Sequence, residues 1–308
     1  MNEITAKSAY FIKLGKKGRW EEQCILHDNT IQLGFDESLH SDCLAGKWDK
    51  VYESWISQGK TIGKATEIKN QIKAFYESDE ETLWITFFMR RLYWCFAGKE
   101  VIQLDDGGRI RKVKGKWEDQ DIQGFPLTIE NLSGKLTKVQ SFQGTICKVK
   151  ELEYLRRKIN HQKLPEVEKA EITLDTLLRD VEPLIQNLTW KDFELLVDLI
   201  FTHSGWQRIS ERGKTEKSID LDLMSPVTGN KAFVQIKSES NMTEFEEYIK
   251  KYEGMKDEFQ EMYYVVHTTN NSFSKWQDKP DIKLWDVTKL SRLVVDSGMI
   301  RWLIKKTS

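Results

Sequence analysis

The amino-acid sequence predicts an α+β protein of two domains, because its patterning changes character twice along the chain. Residues 1–150 hold many short apolar runs separated by glycine turns, which favours a β-barrel-type domain or a strongly curved sheet. Residues 151–186 form a charged, helix-prone stretch that Pro165 and Pro183 punctuate, and we interpret them as a helical linker. In residues 187–308 helical and strand patterns alternate, which predicts an α/β domain with a central mixed sheet.

The composition is that of a globular protein for which no membrane span is expected. Of 308 residues, 39% are hydrophobic and 31% charged, and no apolar stretch approaches the ~18 residues that a transmembrane helix needs. The N-terminus has no apolar core behind a basic start, and the four cysteines include no C-x-x-C pair, so a cytoplasmic location without zinc or disulfides is expected. Lysine and arginine total 47 against 48 acidic residues, so a polyanion partner would need a locally basic groove.

The first part of the chain predicts several strands and one helix. Strands are expected at SAYFIKLG, which ends at Gly15, and at TIQLGF, and a helix is expected over residues 64–76. The run LWITFFMRRLYWCFAG reads as two strands joined around residues 89–91. In GKEVIQLDDGGRIRKVKG, alternating apolar residues flank a D-D-G-G turn, which is a strong hairpin signal. The segment FQGTICKVK closes the region with a last strand.

The last part of the chain predicts a capped helix followed by alternating strands and helices. Thr189 is a good N-cap for a helix that runs to about His203 and ends at Gly205. The buried face of this helix is predicted from apolar residues at helical spacing, namely Trp190, Phe193, Leu196, Val197, Ile200 and Phe201. The strands KSIDLDLMS and KAFVQIKS then flank the turn PVTGN. A helix near residues 243–260, the strands MYYVVHT and IKLWDV, and two closing helices complete the pattern.

Polar side chains on the two strands around this turn are expected to converge on one patch. In SIDLDL, Asp220 and Asp222 share one strand face, and the other face carries the aliphatic residues Ile219, Leu221 and Leu223. Gln235 and Lys237 likewise share a face of the next strand. If the turn centres near residues 227–228, Asp220 lies opposite residue 235 or 236, with Cβ atoms about 5 Å apart. A carboxylate, an amide and an ammonium group would then meet.

This combination of side chains suits metal-assisted hydrolysis of a phosphodiester. Mg²⁺ prefers oxygen ligands, which Asp220, the amide oxygen of Gln235 and the backbone carbonyl of Ile236 would supply; Mn²⁺ would accept the same oxygens. Lys237 would orient or help deprotonate the attacking water and offset developing negative charge. Glu194, at the edge of the apolar helix stripe, is placed to reach the same ion as a second carboxylate. Each of these motifs alone more often marks a solvated face. The prediction of a nuclease site therefore rests on their occurrence together and in this order.

Four segments follow one another along the chain: WKDFELLVDLIF, Gly205-Trp206, DLDL and VQIK. Together they resemble the catalytic domain of Mrr-like restriction endonucleases, which belong to the PD-(D/E)xK nuclease superfamily. The resemblance covers about residues 187–308 and implies a restriction-endonuclease-like α/β core. The resemblance also implies the site residues. Asp220 corresponds to the aspartate of the family motif, Gln235 and Lys237 correspond to a Q-x-K variant of it, and Glu194 corresponds to the acidic residue of the first helix. Asp222 is an extra carboxylate whose role is open. Glutamine removes one metal-binding charge relative to the commoner E-x-K form, which predicts low metal affinity or dependence on Glu194.

The first 150 residues contain the predicted strands AYFIKLG, LWITF, LYWCFA and GTICKV. Over about residues 8–150 they resemble the PUA-type fold, a group that includes EVE domains. The resemblance implies binding of a modified base or of RNA. Reading a modified base in a duplex requires flipping it into a pocket where aromatic rings stack on it. Candidate pocket residues, for which core packing is the competing role, are Trp20, Trp48, Trp84, Phe87, Tyr93 and Trp94. Trp84 is expected to face a cavity while its strand neighbours face the core. Candidate phosphate contacts are Lys13, Lys16, Lys17 and Arg19.

The two resemblances together predict a modification-dependent, type IV-like DNA endonuclease that recognises a modified, flipped cytosine base and acts in anti-phage defence. A second hypothesis is an RNA-directed nuclease or processing factor, because PUA-type domains also bind RNA. A third is a nucleic-acid sensor with an inactive nuclease fold, which the glutamine of Q-x-K motivates. Because cutting both strands needs two active sites, a homodimer is expected, with Mg²⁺ or Mn²⁺ as cofactor and no membrane partner.

Overall fold

A computed structural model describes residues 3–35, 39–209, 220–269, 273 and 276–308 of the chain. The chain forms two compact units, Met1–Leu164 and Pro165–Ser308. The stretch 151–186, interpreted from the sequence as a linker, is helical, and its two helices belong to different units. Leu152–Ile159 (α5) buries Leu155 and Ile159 in the first unit, while Pro165–Gln186 (α6) is part of the second.

The first unit contains two sheets. The four-stranded sheet consists, in spatial order, of β4 (Arg91–Phe96), β3 (Thr82–Phe88), β1 (Ser8–Ile12) and β7 (Ile146–Lys148). In it β1 runs parallel to β3 and antiparallel to β7, and β3 and β4 form an antiparallel pair. The three-stranded antiparallel sheet consists of β2 (Thr30–Leu33), β6 (Arg109–Lys112) and β5 (Ile102–Gln103). The strands expected from the sequence are therefore present, including the hairpin around the D-D-G-G turn.

The expected barrel is not formed, because neither sheet closes on itself within the described residues. The strands β5 and β6 are only two and four residues long, too short to extend the ladder around a barrel. The two faces of the four-stranded sheet are instead covered by separate apolar clusters, one holding Trp84 and the other holding Leu83, Ile85 and Phe87. Alternate residues of β3 point to opposite faces, so each face has its own core.

Helices contribute more to the first unit than the sequence patterning predicts. The expected helix is α3, which runs over Ile62–Glu77 behind Thr61, whose side chain accepts a hydrogen bond from the Lys64 amide. Two further helices, α1 (His40–Leu44) and α2 (Trp48–Ser57), precede it, and α4 (Gly134–Thr137) lies between β6 and β7. The prediction of a single helix was wrong: α1 and α4 have only five and four residues, and α2 was missed although its buried residues Val51 and Trp55 recur at helical spacing.

The second unit is built on one five-stranded mixed sheet, as the sequence predicts. Its spatial order is β12 (Ile282–Trp285), β11 (Glu261–Thr269), β10 (Lys231–Ser240), β9 (Leu221–Met224) and β8 (Gln207–Arg208). The strands β10, β11 and β12 are parallel, and β9 and β8 are antiparallel to their neighbours. Ile219, expected in the strand before the turn, lies outside the described residues.

Helices cover both faces of this sheet. Among the unit's described residues the helices are α6, α7 (Trp190–His203), α8 (Met242–Glu253), α9 (Val287–Asp296) and α10 (Ile300–Thr307). The predicted cap is confirmed, because the Thr189 hydroxyl accepts from the Asp192 amide at the start of α7. Trp190 was wrongly expected on the buried face: it is 58% exposed, whereas Phe193, three residues later, is buried in the apolar cluster.

The sheet faces decide which side chains can meet at a site. Val234 and Ile236 of β10 join the cluster that contains α7, whereas Phe233 joins the cluster that contains α8. Because side chains alternate along a strand, Gln235 and Lys237 lie on the α8 side with Phe233. No described helix of the chain is long and apolar enough to cross a membrane.

Candidate active site

Asp220 lies at the start of the β9–β10 hairpin, in the register that the turn predicts. Leu221 pairs with Val234, and the Asp220 amide donates to the Val234 carbonyl at 3.2 Å. The Asp220 carboxylate then accepts two hydrogen bonds from β10, one from the Gln235 side-chain amide at 2.5 Å and one from the Ile236 backbone amide at 2.7 Å. The structure therefore brings together three of the residues that the sequence singled out.

The orientation of the Gln235 side chain has a chemical consequence. An ionised carboxylate only accepts hydrogen bonds, so the NH₂ group of Gln235 must face Asp220. This leaves Oε1 of Gln235 buried and without a hydrogen-bond partner among the described residues. A buried acceptor without a partner costs about 1–3 kcal/mol, so this oxygen is a candidate ligand for a cation.

Two carboxylates share this site electrostatically. Burial raises the pKa of Asp220 above its ordinary value, although the hydrogen bond from Ile236 and the charges of Lys237 and Arg208 oppose the shift. Burial also raises the pKa of Glu194, and the negative charge of Asp220 raises it further. Glu194 on α7 is therefore within electrostatic range of Asp220, and its role as a second metal ligand stays a prediction. In both groups the ionised form is disfavoured, which a bound cation would reverse.

The oxygen ligands available at this site, two carboxylates and one neutral amide, suit a hard divalent cation. Within the described ranges, no three His, Cys, Asp or Glu side chains lie close enough to hold a metal ion by themselves. Asp220, Glu194 and Oε1 of Gln235 nevertheless supply the oxygen atoms that Mg²⁺ or Mn²⁺ prefers, and Mg²⁺ commonly keeps several waters. Ile236 uses its amide to hold Asp220. Its carbonyl stays a predicted ligand.

Lys237 is held by helix α8 rather than by the two aspartates. Its ammonium group forms an ion pair with Glu244 at 2.9 Å and lies 5.4 Å from the centre of the Tyr248 ring. Burial lowers the pKa of Lys237, but the hydrogen bond and charge of Glu244 outweigh that effect and leave the pKa raised. Lys237 is thus a protonated cation beside the Asp220–Gln235 pair.

Glu244 was not found by sequence reasoning, although a local signal was present. Asn241 caps α8 by accepting from the Glu244 amide, which fixes Glu244 in the first turn of that helix. The Ser240 hydroxyl donates a second hydrogen bond to its carboxylate at 2.9 Å. Burial would raise the pKa of Glu244, but the hydrogen bonds from Lys237 and Ser240 hold it below its ordinary value. Glu244 is therefore ionised and fixed in place.

Arg208 is a second residue that sequence reasoning missed. Its guanidinium donates to the Asp220 backbone carbonyl at 3.3 Å and lies 4.0 Å from the Asp198 carboxylate. Its positive charge lowers the pKa of both Asp220 and Glu194. The signal available was its position two residues after the Gly205-Trp206 pair, on the short strand β8. Arg208 limits the repulsion between the two carboxylates.

Asp222 shares a strand face with Asp220 but has different neighbours. It pairs in register with Phe233, and burial raises its pKa. The positive charge of Lys231 opposes that shift, and the negative charge of Glu258 adds to it. One of its carboxylate oxygens is buried with no hydrogen-bond partner among the described residues. The geometry gives Asp222 no direct contact with Gln235.

The six aromatic candidates of the first unit are not gathered into one cavity by the described residues. They divide between two core clusters, with Trp84 and Tyr93 buried in one, Phe87 and Trp94 buried in the other, and Trp20 and Trp48 at the margin of the first. Trp84 is fully buried, so the expectation that it faces a cavity is wrong. Its ring packs against Phe75 and Tyr10, because α3 covers that face of the sheet.

Trp20 lines a cavity of about 230 Å³ in the first unit. The Arg19 guanidinium lies 4.4 Å from the centre of its ring, and the cavity wall also includes Gln32, Phe35 and Asp106. A Cβ at Gly15 would lie 2.9 Å from the Trp20 ring, so a glycine is required there. The exposed, basic residues Lys16 and Lys17 follow Gly15 directly. An aromatic ring, an amide and charged groups therefore line one open cavity.

The second unit thus groups carboxylates and a lysine on neighbouring strands of a mixed sheet that helices cover. Residues 185–294 match the family described as Mrr_cat, restriction endonuclease, so this unit carries a restriction-type, Mrr-like catalytic domain. The match includes every candidate catalytic residue and no part of the first unit. Neither a curated protein nor a solved structure was found to match the chain.

Proposed function

We propose that the protein is a modification-dependent, type IV-like DNA endonuclease. The second unit hydrolyses phosphodiester bonds, and the first unit senses a modified, flipped cytosine, in defence against phage. The observation that carries the catalytic part is the Asp220–Gln235 hydrogen bond, which leaves a buried oxygen free for a cation. It lies inside the segment that matches a restriction endonuclease family.

The proposed mechanism assigns a separate task to each side chain. Asp220, Glu194 and Gln235 would hold Mg²⁺ or Mn²⁺. When bound, such an ion polarises a phosphoryl oxygen and activates water as a nucleophile. Lys237, fixed by Glu244, presents N–H donors to the attacking water or to a non-bridging phosphate oxygen and offsets the charge that develops there. Burial of the site strengthens this electrostatic effect.

Digestion of matched phage DNAs, unmodified and cytosine-modified, tests the function as a whole. Purified protein with Mg²⁺ is expected to cut the modified DNA and to leave the unmodified DNA intact. Heavily modified DNA that stays intact over a range of salt concentrations would contradict the proposal. Inhibition of DNA cleavage by structured RNA would instead favour an RNA substrate.

Glu244 is proposed as a positioning residue for Lys237. Changing Glu244→Gln removes the negative partner of the ammonium group, so Lys237 is expected to lose its fixed position and DNA cleavage to slow by about tenfold or more. The readout is the single-turnover cleavage rate, with DNA affinity measured separately. The matched control is Glu247→Gln, because Glu247 is exposed on the same helix. Glu244→Asp should recover part of the rate; equal rates for both Gln variants would contradict the role.

The cavity beside Trp20 is the proposed site for the flipped base. A base needs a stacking surface and groups that read its edge, which Trp20 and the side chains of Gln32 and Asp106 would supply. Of the other five predicted aromatics, four are core residues, and the Trp48 indole donates to Glu77 at 2.6 Å. Of the six aromatic residues predicted to stack on the base, we therefore propose Trp20.

Trp20→Ala is expected to reduce the preference for modified over unmodified DNA by about tenfold, because base–aromatic stacking contributes about 1–3 kcal/mol. The measurement is the ratio of the cleavage rates on the two DNAs. Trp48→Ala serves as the matched control, since Trp48 is also a half-buried tryptophan of the first unit. If Trp48→Ala lowers the ratio and Trp20→Ala does not, the cavity is not the recognition site.

Cleavage of both strands motivates the proposal of a homodimer, formed alone or on the substrate. Two active sites must act on one duplex to cut both strands. The molecular mass of the protein, measured with and without DNA, is expected to show a dimer in at least one condition. A monomeric mass in both conditions would contradict it.

A further inference from the structure

A groove of about 650 Å³ lies in the first unit along the edge strand β7. Its floor is apolar and includes Val139, Phe142 and Val149. Four exposed lysines stand around it, namely Lys135, Lys138, Lys148 and Lys150, and Glu151 is the acidic residue among those that line it. This concentration of positive charge stands out in a chain with a net charge of −1.

The four groove lysines are not neutralised by neighbouring carboxylates. In the part of the chain that the structure describes, none of them takes part in an ion pair, whereas Lys7, Lys64 and Lys114 of the same unit each pair with a glutamate. Lys13 lies beside the groove and donates to the Phe142 carbonyl. The groove is therefore a surface of unbalanced positive charge with an apolar floor.

Protection of an open sheet edge accounts for only part of this arrangement. The strand β7 pairs with β1 alone among the described strands, and lysines on such an edge discourage pairing with another chain. Lys148 and Lys150 lie on or just after β7, as edge protection requires. Lys135 and Lys138, however, line the groove from a separate segment, which begins with α4 and contains no strand. They face the groove without belonging to an edge.

We infer that this groove binds the sugar-phosphate backbone of DNA, which rests on the proposed DNA substrate. Lysines from two separate segments that line one groove suit the regular negative charge of a nucleic-acid strand, and such contacts dominate affinity without reading sequence. The half-buried Phe142 ring and the aliphatic floor suit the apolar faces of sugars. The groove supplies the locally basic surface that a nearly neutral protein needs in order to hold a polyanion.

The test is the salt dependence of DNA binding by the full chain, without divalent ions so that no cleavage occurs. The double variant Lys138→Gln, Lys148→Gln removes one charge from each of the two segments that line the groove, and fluorescence anisotropy with a labelled duplex gives its affinity over a salt series. The affinity is expected to fall by about tenfold, and the slope of log affinity against log salt by about 2, since each phosphate contact contributes about 0.9. The charge-matched control is Lys60→Gln, Lys99→Gln, two exposed lysines of the same unit outside the groove. It should retain the wild-type affinity and slope.

The possible results distinguish a failure of the groove assignment from a failure of the proposed function. A groove variant that keeps the affinity and slope of the control overturns the groove assignment, while DNA cleavage by wild type would still support the nuclease. Self-association of the variant with unchanged DNA affinity assigns the lysines to edge protection and also overturns it. Wild-type protein that neither binds nor cuts DNA contradicts the proposed function itself. Thermal unfolding of both variants checks that each folds.

Discussion

Changing Lys237→Ala is expected to lower the rate of DNA cleavage by about 10²–10³-fold, the usual loss when one preorganised electrostatic group is removed from an active site. Lys237 carries the positive charge nearest to Asp220 on strand β10, and Glu244 keeps it protonated and fixed. Without it, the positive charge that acts on Asp220 from β10 is lost. DNA affinity should change little, because the proposed phosphate contacts lie in the groove of the first unit.

The measurement is single-turnover cleavage of cytosine-modified DNA by wild type and variant side by side. Lys251→Ala is the matched control, because Lys251 lies 4.3 Å from the centre of the same Tyr248 ring and has no place in the proposed mechanism. Thermal unfolding shows whether Lys237→Ala still folds. If the folded variant retains every activity of wild type while DNA binding persists, the inactive-nuclease sensor becomes the better reading.

The β9–β10 hairpin could be predicted from the sequence because its geometry is local. The turn between β9 and β10 is short, and strand alternation then fixes which side chains share a face. The positions of Asp220, Gln235 and Ile236 follow from those two facts. Glu244 and Arg208 could not be predicted in the same way, since their contacts depend on how α8 and β8 pack against the sheet. Tertiary packing of that kind leaves no fixed spacing in the sequence.

The first unit was predicted less well for a related physical reason. Its strands were recognisable from apolar alternation and the D-D-G-G turn, but closure into a barrel depends on strand length and pairing across the whole sheet. The role of an aromatic residue depends on which face of the strand is covered. Trp84 alternates with Leu83 and Ile85, yet α3 covers its face too, so both sets are buried. Alternation alone cannot distinguish a covered face from an open one.

Changing Gln235→Glu is expected to lower the free energy of unfolding by about 1–3 kcal/mol in the presence of a chelator. The Gln235 amide donates to Asp220, and an ionised glutamate cannot donate, so two carboxylates would meet where an amide now bridges. The pKa values of Asp220 and Glu194 are already raised, mainly by burial, so a third negative charge adds repulsion. A carboxyl group whose pKa is raised in the folded state contributes its full stability below the unfolded pKa and loses that contribution as pH rises through the raised folded pKa. The destabilisation should therefore be largest at neutral pH and shrink on acidification.

Divalent metal should reverse this loss and so test whether Gln235 lines the cation site. A ligand that binds only the folded state stabilises it by RT ln(1 + [L]/Kd), and a third charged oxygen should lower the Kd for Mg²⁺. The rise in melting temperature on adding Mg²⁺ is therefore expected to be larger for Gln235→Glu than for wild type. Gln235→Ala, the uncharged control, should show a smaller rise than either. An equal rise in all three proteins would mean that Gln235 does not face the ion, and that its amide serves only to hold Asp220 against β10.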